Sequence, residues 1–135
     1  MVVVDTNVIA ALYLPESEQL TWAERARRRD RVWAAPMLWR SEFRNVLALY
    51  MRHRGVPVAS ALAAQAEAEA LLAGFEYEVD SALVLTLAAE SGRTAYDCEF
   101  VAVARTLGVR LVTDDRRVAA SFPEVAISLA EFAAG

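Results

Sequence analysis

Four carboxylates occupy positions from which one shared point could be reached: Asp5, Glu42, Asp97 and Asp115. Asp5 closes an apolar run, Val2-Val3-Val4-Asp5-Thr6-Asn7, and Asp115 follows another, Leu111-Val112-Thr113-Asp114-Asp115. Glu42 and Asp97 fall in helical segments whose other positions are largely apolar. Acids gathered this way repel one another; two carboxylates about 4 Å apart cost roughly 4 kcal/mol at an effective dielectric of about 20. Divalent cations would turn that cost into binding energy, and oxygen-rich sites suit Mg²⁺ or Mn²⁺. The pattern reads as a metal-dependent enzyme acting on phosphate esters.

The elements that must position these acids alternate between strand and helix. Met1 to Val4 is a short β-branched run without polar alternation, as expected of a buried strand. Further strands are expected at Val32 to Ala35, ended by Pro36, at Phe75 to Val79, at Val109 to Thr113, and a short one at Val125 to Ile127. Helices are expected over Thr6 to Tyr13, broken at Leu14-Pro15-Glu16-Ser17, and over about Glu18 to Arg29. Met37 to Arg54 stops at Gly55 with Pro57 beyond, a stop signal. Ala59 to Ala73, Ser81 to Ser91 and Thr94 to Leu107 are each followed by a glycine. Alternation of this kind implies an α/β fold with a central parallel sheet of four to five strands covered on both faces. In open sheets of that type ligands sit at the carboxyl ends of the strands, where the strand order reverses. Asp5 and Asp115 both stand at carboxyl ends.

Each acid also has an ordinary structural reading. Asp5 is a candidate N-cap for the helix that begins at Thr6, and Asn7 belongs to the same turn, placed to orient Asp5 or a metal-bound water. Thr94 can cap the next helix with Asp97 in its first turn, where the macrodipole favours an acid. Asp114 and Asp115 could be turn residues. Glu42 resists such a reading best. It falls four residues after Leu38 and four before Val46, on the stripe that continues to Leu49, with Phe43, Leu47 and Tyr50 alongside. A carboxylate there must be paired, neutralised or metal-bound, and Arg40 or Arg105 could pair it.

Composition removes several alternatives. At 135 residues the chain is expected to form a single domain, residues 1–135, with a proper hydrophobic core. No apolar run approaches a membrane span, and the N-terminal MVVVDTNV lacks a basic region and a cleavage site. With a lone Cys98 unable to form an internal disulfide, a cytoplasmic location is expected. There is no lysine; all 14 basic residues are arginines. P-loop, Schiff-base and kinase-type lysine mechanisms are therefore excluded, and the missing lysine argues against a phosphorylated receiver domain. The net charge of −4 does not exclude a nucleic-acid substrate, because two bound divalent cations would cancel it. The arginine run at 25, 27, 28, 29 and 31 reads as a solvated face diluted by Glu24 and Asp30. Arg116 and Arg117, next to Asp115, are better placed for a phosphate. The single His53 without a cysteine partner makes no zinc site. Trp22, Trp33 and Trp39 read as core or interface anchors rather than base-stacking platforms, and Cys98 as a buried small side chain.

Taken together, four segments resemble the motifs of the PIN-domain ribonucleases, and within them the VapC-type toxins of toxin–antitoxin pairs. These are Val-Val-Val-Asp5-Thr-Asn7, Arg40-Ser41-Glu42-Phe43-Arg44-Asn45-Val46-Leu47, the stretch from Ala95 to Ala104 around Asp97, and Leu111 to Arg117 around Asp115. The resemblance implies a three-layer α/β/α fold over the whole chain and an acidic quartet of Asp5, Glu42, Asp97 and Asp115. It implies Thr113 as a supporting hydroxyl and gives Asp114 a lesser, supporting place. Arg116, Arg117 and Arg44 become candidate RNA contacts. The implied chemistry is hydrolysis of an RNA phosphodiester with one or two Mg²⁺ or Mn²⁺ ions. A homodimer and a cognate antitoxin protein, whose tail would place a basic side chain among the acids, are implied partners. The toxin role is favoured by small size. A PIN nuclease in RNA processing and a non-catalytic PIN-fold binding partner are the alternatives. A haloacid-dehalogenase-like phosphatase would want an aspartate where Asn7 stands, and a dinucleotide-binding domain would want glycines in the first turn.

Overall fold

A computed structural model describes residues 1–14 and 16–135; Pro15, expected in the break after the first helix, lies outside them. The chain runs β1 (Val2–Val4), α1 (Thr6–Tyr13), α2 (Leu20–Arg29), β2 (Trp33–Pro36), α3 (Leu38–Arg54), α4 (Val58–Leu72) and β3 (Glu76–Tyr77). It continues through α5 (Ser81–Ser91), α6 (Ala95–Leu107), β4 (Leu111–Thr113), α7 (Arg116–Ser121), β5 (Ala126–Ser128) and α8 (Leu129–Ala134). Five strands form one all-parallel sheet in the order β3-β2-β1-β4-β5. The sheet is flanked by helices: α6 packs on β1, β2 and β4 and carries α5, while α1 packs on β4 and gathers α2, α3 and α4.

The strand order dictates where a ligand can sit. From β1 the chain steps outward to β2 and β3, then returns to β4 on the other side of β1. The reversal therefore lies between β1 and β4, which pair through Val3↔Leu111 and Val4↔Val112. These central strands are buried on both faces: Val3, Val4, Leu111 and Val112 have no exposed surface. That is why they read as continuous apolar runs rather than alternating ones. Burial extends to the residue after β1 and to the last residue of β4, so the first polar side chains reached at the carboxyl ends, Asp5 and Thr113, are themselves buried.

Several boundaries depart from the sequence expectation for identifiable reasons. Pro36 belongs to β2 rather than ending it. Along that strand Ala35 and Met37 donate their backbone N–H groups to β3, at Phe75 O and Tyr77 O. The N–H that proline lacks would face the β1 side, where register ends at Val3↔Ala34, so no ladder bond is lost. Two short helices, α7 and α8, were not expected. Each is six residues long and owes its start to a cap: the Asp115 carboxylate accepts from Arg117 N and Val118 N, and Ser128 Oγ accepts from Glu131 N. Within α3 the core-facing row is Trp39, Phe43 and Leu47; Leu49, expected on the apolar stripe, is 41% exposed. Trp33 and Trp39 are fully buried anchors, whereas Trp22 is only partly covered. No helix among the described residues is long and apolar enough to cross a membrane.

Candidate active site

Asp5 is the most enclosed of the acids. It caps α1, accepting from Thr6 N at 2.9 Å through Oδ1. Its Oδ2 accepts from Thr113 Oγ1 at 2.8 Å and from Asn7 Nδ2 at 3.4 Å. The ordinary reading of Asp5 as a helix cap is thus realised, and a second strand end grips the same carboxylate. Burial pushes this carboxyl up to about 6, against the lowering effect of the bonds from Thr113 and Thr6; the neighbouring charges of Glu42 and Asp97 push it further up.

Glu42 reaches the same place from α3. Its Oε1 accepts from Thr6 Oγ1 at 2.8 Å, so Thr6 holds two acids at once, one through its backbone and one through its hydroxyl. The arginines that could have paired Glu42 are engaged elsewhere: Arg40 with Glu76 and Glu69, and Arg105 with Glu124. Glu42 is half-buried, and burial together with the charges of Asp97 and Glu99 raises its carboxyl above the ordinary range. Asp97 stands in the first turn of α6, whose cap Thr94 accepts from Asp97 N at 3.0 Å. Burial and the charge of Asp115 raise it, while Arg93 and Arg117 pull it down.

Asp115 is fixed by the start of α7. Its Oδ1 accepts from Arg117 N at 2.8 Å and Val118 N at 3.3 Å, and its own N–H donates to Thr113 Oγ1 at 3.0 Å. Thr113 is fully buried and joins the two strand ends: it donates to Asp5 and accepts from Asp115. Asn7 adds a second tie, accepting from Asp114 N at 3.0 Å through Oδ1. Asp114 itself is exposed, and burial of its carboxyl shifts it upward.

The four acids therefore share one electrostatic neighbourhood, with Asp5 coupled to Glu42 and Asp97, and Asp97 coupled to Asp115. The candidate RNA contacts are not equivalent. Arg117 lies 3.9 Å from Asp115 and Arg116 follows it at the start of α7, both exposed. Arg44 is exposed on α3, two residues and hence about 200° around the helix from Glu42. Its guanidinium folds back to Arg40 O and Ser41 Oγ. The residues sequence reasoning passed over are Thr6, Arg93 and Glu99. Thr6 and Glu99 lay inside the motifs themselves, and Arg93 directly precedes the Thr94 cap. Arg93 Nε is buried with no hydrogen-bond partner among the described residues, beside the Asp97 it influences.

Among the described residues no group of three His, Cys, Asp or Glu side chains is placed to hold a metal ion by itself. The donor set fits an ion that needs no such group. All four groups offer hard oxygen, and Mg²⁺ keeps several of its waters while taking one or two carboxylates directly. Carboxyls pushed upward by burial and by one another lose that strain when a cation arrives.

Sequence comparison matches residues 2–127 to the PIN domain. The chain belongs to the PIN-domain family. Among solved structures this PIN domain is similar to the crystal structure of PAE2754 from Pyrobaculum aerophilum, at 27% identity and a TM-score of 0.68. The likeness covers 98% of this chain and 96% of that one. No curated protein matches the sequence. PIN domains are generally nucleases that use divalent metal ions and act on RNA.

Proposed function

We propose that this PIN domain is a metal-dependent ribonuclease whose active centre is Asp5, Glu42, Asp97 and Asp115, with Mg²⁺ or Mn²⁺ as its ion. One observation carries the reading: a buried aspartate at the topological switch point, raised to about 6, within electrostatic reach of two further carboxylates that no arginine among the described residues pairs directly. Keeping such a cluster costs stability, which a fold without a cation to bind there would not retain. Bound ions would lower the pKa of a coordinated water and offset the charge that develops on the phosphate.

The chain's own groups prepare that chemistry. Thr113 and Thr6 N hold Asp5 with both oxygens oriented, and Thr6 Oγ1 orients Glu42. The start of α7 fixes Asp115, and Asp97 faces the same point from α6. Arg116 and Arg117 supply positive charge at the rim for the RNA backbone.

The finer role we propose is that of the toxin in a type II toxin–antitoxin system, working in the cytoplasm as a homodimer held in check by an antitoxin protein. The likeness of all four motifs to VapC-type toxins supports it. So does an open apolar groove between α3 and α4, lined by Leu47, Met51, Val58, Ala61 and Leu62, a surface that a partner helix would cover. The deciding experiment is cleavage of an RNA pool by the purified protein with Mg²⁺ or Mn²⁺ and with EDTA, beside Asp5→Asn, with metal binding followed by calorimetry. Cleavage that needs metal and is lost in the variant is expected. Absence of both cleavage and metal binding would leave a non-catalytic binding partner. Growth arrest on expression, relieved by Asp5→Asn, tests the toxin role separately.

A further inference from the structure

We propose that the cavity beside the acid cluster is a nucleobase subsite, walled by Trp22 and read by Gln19, that seats a nucleotide next to the cleaved phosphodiester. The inference rests on the ribonuclease reading and adds a specificity determinant to it. The cavity has a volume of about 440 Å³, within the range of small-ligand sites. It begins at Thr113 and Asp115, inside the acid cluster, and extends to Gln19 and Trp22 of the α2 start. A phosphate held over the acids would therefore carry its neighbouring nucleoside toward the indole.

The chemistry of the walls suits a base. Trp22 is the one tryptophan the core does not enclose; Trp33 and Trp39 have no exposed surface. Indole faces stack bases of any sequence, and Arg25 lies over this ring at 5.3 Å from its centroid. Gln19 stands at the N-cap of α2 yet makes no side-chain capping bond. Its carboxamide offers a donor and an acceptor together, the pairing that reads a base edge. The hydroxyl oxygen of Ser128 accepts from Glu131 N at 3.2 Å, leaving its proton to donate into the cavity it lines. Asp114 and Asp115 on the opposite wall outnumber Arg116, which lines the cavity beside them and can hold the backbone phosphate at its edge, so the interior favours an uncharged ring over an acidic peptide.

The test uses fluorescein-labelled RNA oligonucleotides that differ at a single position next to the cleaved bond. Anisotropy in the Asp5→Asn background measures binding without cleavage, and the active protein gives kcat and KM. Trp22→Ala is expected to weaken RNA binding and raise KM about tenfold, with kcat little changed. Trp22→Phe should recover most of the loss. Gln19→Ala should change the preferred base at that one position. Because Trp22 also packs against the core, circular dichroism checks the fold; if Trp22→Ala unfolds, Trp22→Phe and Gln19→Ala carry the decision. Folded variants with unchanged affinity and unchanged base preference would overturn the subsite while leaving the nuclease intact. That result, joined to lost binding of a protein partner, would hand the cavity to that partner and equally overturn it. If Asp5→Asn binds no RNA and the parent cleaves none, the ribonuclease reading falls with the subsite.

Discussion

Asp5 carries an energetic signature that can be measured without a substrate. In the unfolded chain its carboxyl loses its proton near 3.8, whereas in the folded protein it holds it to about 6. Between those values the folded state binds the extra proton, so the stability that Asp5 contributes is greatest below about pH 4 and is lost as pH rises to about 6. The shift corresponds to on the order of 3 kcal/mol. Asp5→Asn removes the buried charge and keeps an oxygen to accept from Thr6 N, while its NH2 replaces the oxygen that accepts from Thr113 and Asn7, which offsets part of the gain. The metal-free variant is therefore expected to be more stable than the parent above about pH 7, by up to about 3 kcal/mol, while losing cleavage. Urea unfolding of both proteins at either end of that range checks it; equal pH dependence would show that Asp5 is not the group responsible. Thr113 makes the complementary case. Thr113→Val keeps the shape but strips a buried hydroxyl that donates to Asp5 and accepts from Asp115 N. A loss of about 1–3 kcal/mol is expected, together with a fall in cleavage that Thr113→Ser restores.

At the scale of elements, legibility followed periodicity and punctuation. β1 and β4 were readable because strands buried on both faces cannot alternate, and α5 and α6 because each is stopped by a glycine, with Thr94 legible as the cap of α6. Helices α7 and α8 were not, since six residues are too few to show a repeat and their start signals, Asp115 and Ser128, read equally well as turn or strand-end residues. In α3 the apolar residues occupy two adjacent rows, and composition could not say that the row of Trp39, Phe43 and Leu47 faces the core while Leu49 faces out. The partner of Glu42 was hidden for a different reason: Thr6 lies 36 residues away in the chain, and only folding brings its hydroxyl within reach. Gly92 shows what a legible stop contributes. It ends α5 at φ +73° with open space where a side chain would go, so a substitution there costs backbone strain and nothing else. Gly92→Ala is expected to lower stability by about 1–2 kcal/mol and to leave metal affinity unchanged. Thermal unfolding and calorimetry test this together, and a parallel loss of metal affinity would mean that the α5–α6 corner sets the position of Asp97.

Across the whole molecule, the pairing of β1 with β4 converts sequence distance into a shared charge. Val3 opposite Leu111 puts Asp5 and Thr113 side by side, and α3 and α6 bring Glu42 and Asp97 to the same end of the sheet. The cluster exists only in the folded chain, so a cation that binds it must stabilise the fold. At about a hundred times the dissociation constant the gain is about 2.7 kcal/mol, which for a domain of this size raises Tm by about 10 °C. The binding form is the ionised one, and Asp5 reaches it only at about 6 as pH rises. The Tm gain from Mg²⁺ or Mn²⁺ should therefore be full above about pH 7, shrink through about 6, and be nearly gone below about 5. The same ions should do little for Asp5→Asn at any pH, because that variant lacks both the charge and the oxygen pair. Scanning calorimetry of the two proteins with and without metal across this range decides it. A Tm gain that ignores pH, or that survives in Asp5→Asn, would place the cation away from the switch point and remove the electrostatic basis for catalysis there.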